Sequence, residues 1–219
     1  SKLTLLGTAV LLPVSAAVIL IYEWSNPATL GAFAPAERLL NATFHATMLR
    51  SAGFNSLEVG AMRPETFLMS YMLMLIGGGS ASTAGGVRVT TFLVLALAVW
   101  AEIRGEPDVT AFGRRISPEV QRQALTVMLL AVGLVGLATL ALLGVSSLSP
   151  RDALFEVISA SATVGLSTGI THDLPPAGQV IIILLMFLGR VGTITVAVGL
   201  ALRSRQRPYR YPEERPIVG

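Results

Sequence analysis

A chain of 219 residues that is 53% hydrophobic and only 13% charged, with a mean hydropathy of +0.68, carries about half the charge of an ordinary globular domain and reads as a membrane protein. It has no cysteine, which excludes a disulfide framework and a thiolate metal site, and two lone histidines, His45 and His172, do not make a zinc site. No paired carboxylates, nucleophile with base or metal cluster stands out, so neither an enzyme nor a covalent cofactor is expected.

Leu3 to Tyr22 is uncharged over 20 residues, about 30 Å as a helix, which matches the hydrocarbon thickness of a bilayer. The preceding Lys2 and the small residues VSAA resemble a secretory leader, but the run exceeds a leader's core of about 7 to 15 residues. A transmembrane helix in a chain lacking its N-terminal part is the better reading. Ala36 to Leu49 (AERLLNATFHATML) is amphipathic at helical spacing yet too short to span, carries Glu37 near its N-terminus where the helix dipole favours it, and runs into the glycine-centred RSAGFNS.

Thr66 to Ala101 holds a single charge, Arg88, in 36 residues, and would measure about 54 Å as one straight helix. Its middle is GGGSASTAGG, Gly77 to Gly86, whose five glycines would lose several kcal/mol of helix propensity at about 1 kcal/mol each. An unwound segment is therefore predicted. A phosphate-binding loop would need a lysine and a preceding strand, and both are missing. Close packing of small residues between helices is the structural alternative, although two or three glycines would suffice for that.

Ala101 to Arg122 is a polar connection, with GEPD (Gly105 to Asp108) as a turn and Ser117-Pro118 opening the next helix. Gln123 to Pro150 is uncharged over 28 residues and contains a third span. Pro150 to Ala162 (PRDALFEVISASA) is a second short amphipathic helix with Asp152 near its start, and it leads into TVGLSTG. Pro175 to Leu202 is the last span, interrupted only by Arg190. An arginine at mid-membrane costs about 2.5 to 3.5 kcal/mol unless it meets a partner or water. Unwound carbonyls or the hydroxyls of Ser80, Ser82 and Thr83 are the expected acceptors, with a helix end or Glu156 as the plainly structural alternative.

Arg104, Arg114, Arg115 and Arg122 lie between the second and third spans, and Arg203, Arg205, Arg207, Arg210 and Arg215 lie in the tail. With Lys2 they mark the cytoplasmic side, against the thinly spread Arg38, Arg50, Arg63 and Arg151 opposite. The net charge of +3 thus reflects topology rather than a nucleic-acid surface.

The plan repeats. Gly53 and Gly165 lie 112 residues apart, and the same offset superposes LMLIGG (Leu73 to Gly78) on LMFLGR (Leu185 to Arg190). A short helix entering from outside turns its partly negative C-terminal end toward the membrane centre, and extended residues after it offer carbonyl oxygens in place of a cation's hydration shell. Glycine suits that backbone because positive φ costs it nothing. Tight turns between helices are the blander reading of a single AGF or VGL.

RSAGFN (Arg50 to Asn55), ATVGLS (Ala162 to Ser167), GGGSASTAGGVR, GRVGTIT (Gly189 to Thr195) and the closing YPEERPIVG, in this order, resemble the Trk/Ktr/HKT potassium and sodium transporters, particularly the Ktr-type membrane subunit. The resemblance covers the chain and implies the third and fourth of four pore repeats, the C-terminal half of a full subunit. The implied fold is an all-α membrane protein of two tandem helix, pore-helix, filter and helix repeats around a pseudo-fourfold cation pore. Residues 1–104 form the third repeat (span 3–22, pore helix 36–49, filter 50–55, broken span 66–101), and 105–122 the connection. Residues 123–204 form the fourth (span 123–147, pore helix 150–162, filter 163–167, span 175–202), before a cytoplasmic tail, 205–219.

The implied ion filter comprises Ser51, Ala52, Gly53, Phe54, Thr163, Val164, Gly165 and Leu166, with K⁺ at backbone carbonyls near Gly53 and Gly165 and Na⁺ as a second transported ion. The implied gate comprises Gly77, Gly78, Gly79, Ser80, Ala81, Ser82, Thr83, Gly85 and Gly86, facing Arg190. The implied partners are the bilayer of the plasma membrane, a second full-length subunit in a homodimer, and a cytoplasmic ring of nucleotide-binding regulatory subunits. Departures from the family pattern are Ala81 for a common central glycine, Arg88 for a lysine, and Thr193 where proline is frequent. A broken-helix secondary transporter for another small solute is the competing function.

Overall fold

The computed structural model describes residues 2–50, 52–79 and 85–202, with backbone alone for 192–202. Ser51, Ser80, Ala81, Ser82 and Thr83 and the tail 205–219 lie outside the described residues, as does the side chain of Thr193. The described chain is an all-α fold of seven helices: α1 (Lys2–Glu23), α2 (Pro35–Met48), α3 (Pro64–Leu75), α4 (Val89–Ile103), α5 (Pro118–Val145), α6 (Pro150–Ser161) and α7 (Pro176–Leu202).

Length separates these helices into two kinds. The runs of α1 and α5 have mean hydropathies of 2.3 and 2.5 and enough residues to cross a membrane. At 14 and 12 residues, α2 and α6 reach only about 21 and 18 Å. Both short helices open with proline, where the missing N–H is harmless, and both are capped by acid chemistry. The Glu37 carboxylate accepts the Ala34 N–H at 3.1 Å. Ser149 accepts the Asp152 N–H at 3.2 Å and donates its hydroxyl to the same aspartate at 2.7 Å.

The long apolar run after α2 breaks as its glycines require. α3 stops at Leu75 and α4 starts at Val89, and the two ends of the intervening loop are tied together. The Gly77 N–H donates to the Val87 carbonyl at 2.8 Å, Val87 to Leu75 at 3.0 Å and Val89 to Gly78 at 3.2 Å, making a parallel bridge between Ile76 and Val87. In the second copy no break occurs: α7 is helical through Arg190.

The polar connection holds more order than its composition suggests. β1 (Thr110–Ala111) and β2 (Arg114–Arg115) pair antiparallel across Phe112 and Gly113, both at positive φ as a two-residue hairpin turn demands. Pro118 carries α5 five residues further toward this hairpin than the uncharged run beginning at Gln123.

The core has two parts that share α6. Ile19, Leu30, Leu49, Phe67, Leu73 and Met74 pack with Phe155, Ile158, Val164 and Leu166 on one side. Leu142, Leu174, Ile182 and Leu185 pack with Ala153, Val157 and Ala160 on the other. Around this core α1, α5 and α7 turn large apolar side chains outward, among them Leu5, Ile21, Leu129, Leu137, Ile183 and Phe187, a surface suited to lipid.

At the end of α1 a buried carboxylate joins distant segments. Glu23 is 0% exposed and its two oxygens accept Asn26 Nδ2 and Thr29 Oγ1, each at 2.6 Å, the Arg63 N–H at 2.8 Å, and Thr66 Oγ1 at 2.6 Å. Four donors on one carboxylate balance its desolvation and fix the start of α3 against the end of α1.

Candidate functional site

The two glycine-centred segments meet. After α6 the backbone turns tightly, with Ala162, Thr163 and Val164 donating to Ile158, Ala160 and Ser159 at 2.8, 3.1 and 2.9 Å. Thr163 then takes φ +54° and Gly165 φ +92°. After α2 the chain turns through Arg50 and Ala52 to Gly53 at φ +68°. A Cβ on Gly53 would lie 2.7 Å from the Val164 carbonyl oxygen and 2.9 Å from Gly165 Cα, distances at which only glycine fits. The C-terminal ends of α2 and α6, where helix dipoles are negative, thus converge on one place.

Side-chain burial explains how the fourth segment is aimed. Val164 and Leu166 are buried in the core while Gly165 between them is exposed. The Leu166 carbonyl is taken by Ser159 Oγ at 2.5 Å, so this oxygen faces α6. In the third segment Gly53 sits beside Phe54, which is 69% exposed.

On one side of the glycines lies a cavity of about 270 Å³ lined by Gly53, Asn55, Gly165, Ser167, Thr171 and His172. On the other side lies the end of the glycine-rich loop. The Gly85 N–H donates to Thr163 Oγ1 at 2.9 Å, and Gly86, at φ +72°, packs against Ala162. α7 also comes in here: a Cβ on Gly189 would collide with the Ser161 carbonyl. Arg190 follows immediately and is exposed. Of the loop, Gly77 and Gly79 meet Gly85 and Thr4, while Ser80, Ala81, Ser82 and Thr83 lie outside the described residues. A second, apolar cavity of about 520 Å³ runs between α4 and α5 and is bordered by Gly86, Arg88, Ser161 and Gly189.

One residue behind the fourth segment carries more than its sequence reading. Glu156, 4% exposed, was expected only as an alternative partner of Arg190. Instead Oε1 accepts Ser167 Oγ at 2.6 Å, the Thr168 N–H at 2.9 Å and Thr168 Oγ1 at 3.3 Å, and Oε2 accepts Thr171 Oγ1 at 3.0 Å. The signal was present, a lone acid in the apolar FEVIS followed by the hydroxyl-rich STGIT. Behind the third segment the situation is reversed. Both ring nitrogens of buried His45, and Nε and Nη2 of buried Arg50, have no hydrogen-bond partner among the described residues.

The TrkH family model, described as a cation transport protein, matches residues 3–207. The Ktr system potassium uptake protein B of Bacillus subtilis (strain 168) is 39% identical over 219 residues, covering 100% of this chain and 49% of that protein. The potassium/sodium uptake protein NtpJ of Enterococcus hirae is 37% identical over 226 residues, covering 100% of this chain and 50% of its own. In the crystal structure of the potassium transporter TrkH from Vibrio parahaemolyticus, a fold with a TM-score of 0.65 covers 91% of this chain and 43% of that one at 18% identity. The chain spans about half the length of the curated relatives it matches.

Proposed function

The chain belongs to the TrkH family of cation transport proteins, and from that premise we propose that it supplies two of four pore repeats of a K⁺-translocating membrane subunit. The observation that carries this reading is the backbone contact of Gly53 with Gly165 at the converging C-terminal ends of α2 and α6. Carbonyl oxygens of Ser51, Ala52, Gly53 and Phe54 on one side and of Thr163, Val164 and Gly165 on the other replace water around the ion. Leu166 contributes mainly by anchoring, since its oxygen is bonded to Ser159. K⁺ is the favoured ion, and the potassium/sodium name of the Enterococcus relative keeps Na⁺ as a coupled or competing one.

The loop 77–86 is the gate in this reading. The bond from Gly85 to Thr163 holds its end against the filter segment, and Arg190, one residue beyond the Gly189 contact with Ser161, adds a positive barrier to cations. The loop 102–122 and the C-terminus face the cytoplasm of a plasma-membrane protein, where regulatory nucleotide-binding ring subunits dock on a homodimer of full-length subunits. A broken-helix carrier for another solute is weaker, because α2 and α6 bring negative C-terminal ends to the site rather than N-terminal ends. The test is growth of a K⁺-uptake-deficient bacterium at low K⁺ carrying the full-length parent or its Gly165→Ser variant. Loss of growth is expected, and growth equal to wild type would remove Gly165 from the filter.

A further inference from the structure

We infer that Glu156 is a positioning residue that sets the ion discrimination of the fourth filter segment, by pinning residues 167–171 behind it. This inference rests on the reading of Thr163 to Gly165 as filter backbone.

The geometry is specific to this copy of the repeat. Residues 163–166 are fastened at their start by the backbone bonds of Thr163 and Val164 to α6 and at their end by Ser159 Oγ on the Leu166 carbonyl. Immediately beyond, the chain must turn away through Ser167, Thr168 and Gly169, the last at φ +96°. That turn is gathered onto one carboxylate by four bonds. Ser167 Oγ and Thr171 Oγ1 lie 2.9 Å apart, close enough for either hydroxyl to share its one proton between its neighbour and the carboxylate, and Ser167 accepts the Gly169 N–H at 2.9 Å, so the donors form one connected unit around Glu156. Because Glu156 is on α6, the pore helix and the outgoing turn become a single rigid frame with the filter segment stretched between them.

At the matching place in the third repeat, 112 residues earlier, stands Phe44, which is exposed. Thr47, matching Ser159, turns its hydroxyl back to the Thr43 carbonyl of its own helix at 2.8 Å. Among the described residues the third segment therefore has neither fastening. Ion discrimination by carbonyls needs oxygens that resist collapsing onto a smaller cation, and a frame fixed at both ends supplies that resistance.

The experiment measures uptake KM for K⁺ and the K⁺ over Na⁺ ratio in the full-length parent, together with its amount in the membrane. Glu156→Ala is expected to raise KM and lower the ratio by about tenfold each at wild-type abundance, since four donors lose their acceptor. Glu156→Gln keeps Oε1 for three donors and can donate to Thr171 through its amide, so it is expected within about twofold of wild type. A wild-type ratio in Glu156→Ala overturns the inference, and so does a Gln variant as impaired as Ala, which would make the charge rather than the frame the cause. Should Glu156→Ala be absent from the membrane, the double variant Ser167→Ala with Thr171→Val decides. It retains the carboxylate and is expected to lower the ratio about threefold, and an unchanged ratio overturns the inference. Gly165→Ser run in parallel separates the two readings: if it too leaves KM and ratio unchanged, the filter assignment has failed, whereas a defect in Gly165→Ser alone rejects only the role of Glu156.

Discussion

The two copies of the repeat share the order long helix, short helix, glycine segment, but they are held by different means. α6 is packed on both flanks, and the segment after it is bonded to Ser159 and Glu156. α2 leaves Leu39, Leu40 and Phe44 exposed, and at its end both ring nitrogens of His45 and Nε and Nη2 of Arg50 have no partner among the described residues. The glycines are common to both. The repeat thus preserves the backbone conformation that brings Gly53 to Gly165, while the chemistry that stiffens each copy has diverged.

Breaking the shared element should have the largest effect. Gly53→Ala and Gly165→Ala place a side chain at φ +68° and +92°, and the first also drives a Cβ onto the Val164 carbonyl. Each is expected to reduce high-affinity K⁺ or Rb⁺ uptake by the full-length protein about a hundredfold. Equal losses would support two equivalent filter segments, and a loss confined to one would break the equivalence.

The two buried carboxylates offer a sharper contrast. Glu23→Ala strands four donors at the junction of α1 and α3, away from the glycines, and is expected to destabilise the detergent-purified protein by about 3 kcal/mol, read as a lower unfolding temperature, with the K⁺ over Na⁺ ratio unchanged. Glu156→Ala is expected to show the opposite balance. If both variants lowered stability alone, the two carboxylates would be equivalent staples and the distinction between framing and stapling would disappear.

A smaller effect is expected where the end of the glycine-rich loop, the proposed gate, touches the segment after α6. Thr163→Val removes the acceptor of the Gly85 N–H at nearly constant shape and should raise basal uptake about threefold, whereas Thr163→Ser should keep it. Flux measurements on proteoliposomes distinguish these outcomes. The smallest change belongs to the third repeat: His45→Phe replaces a buried ring that has no hydrogen-bond partner among the described residues by an apolar one and should leave the unfolding temperature unchanged or raise it. A fall of more than about 5 °C would show that His45 has a partner in the full-length protein.

Much of the fold is legible in the sequence because apolarity and glycine act locally. Leu3 to Tyr22 can only be a long apolar helix, Pro150 to Ala162 cannot span, and the five glycines of GGGSASTAGG cannot continue α3. The expected end of the first pore helix at Leu49 and its observed end at Met48 differ by the usual fraying of a helix terminus. The site is less legible. That Gly53 and Gly165 share a backbone contact follows from the packing of two helices far apart in sequence. That the Leu166 oxygen turns toward α6 depends on the rotamer of Ser159. Glu156 and Glu23 are single acids whose partners lie up to 43 residues away, and no periodicity marks them. The hairpin at Thr110 to Arg115 is too short for any alternation to register.

The parallel bridge between Ile76 and Val87 fixes where the broken span leaves the helix and where it returns. Because both abutments are joined, a movement of the chain between them would ask nothing of α3 or α4. If that loop is the proposed gate, its opening would change no helix tilt and no outline presented to the bilayer. Conduction gated in this way would be insensitive to membrane thickness and answerable only to what touches the loop itself.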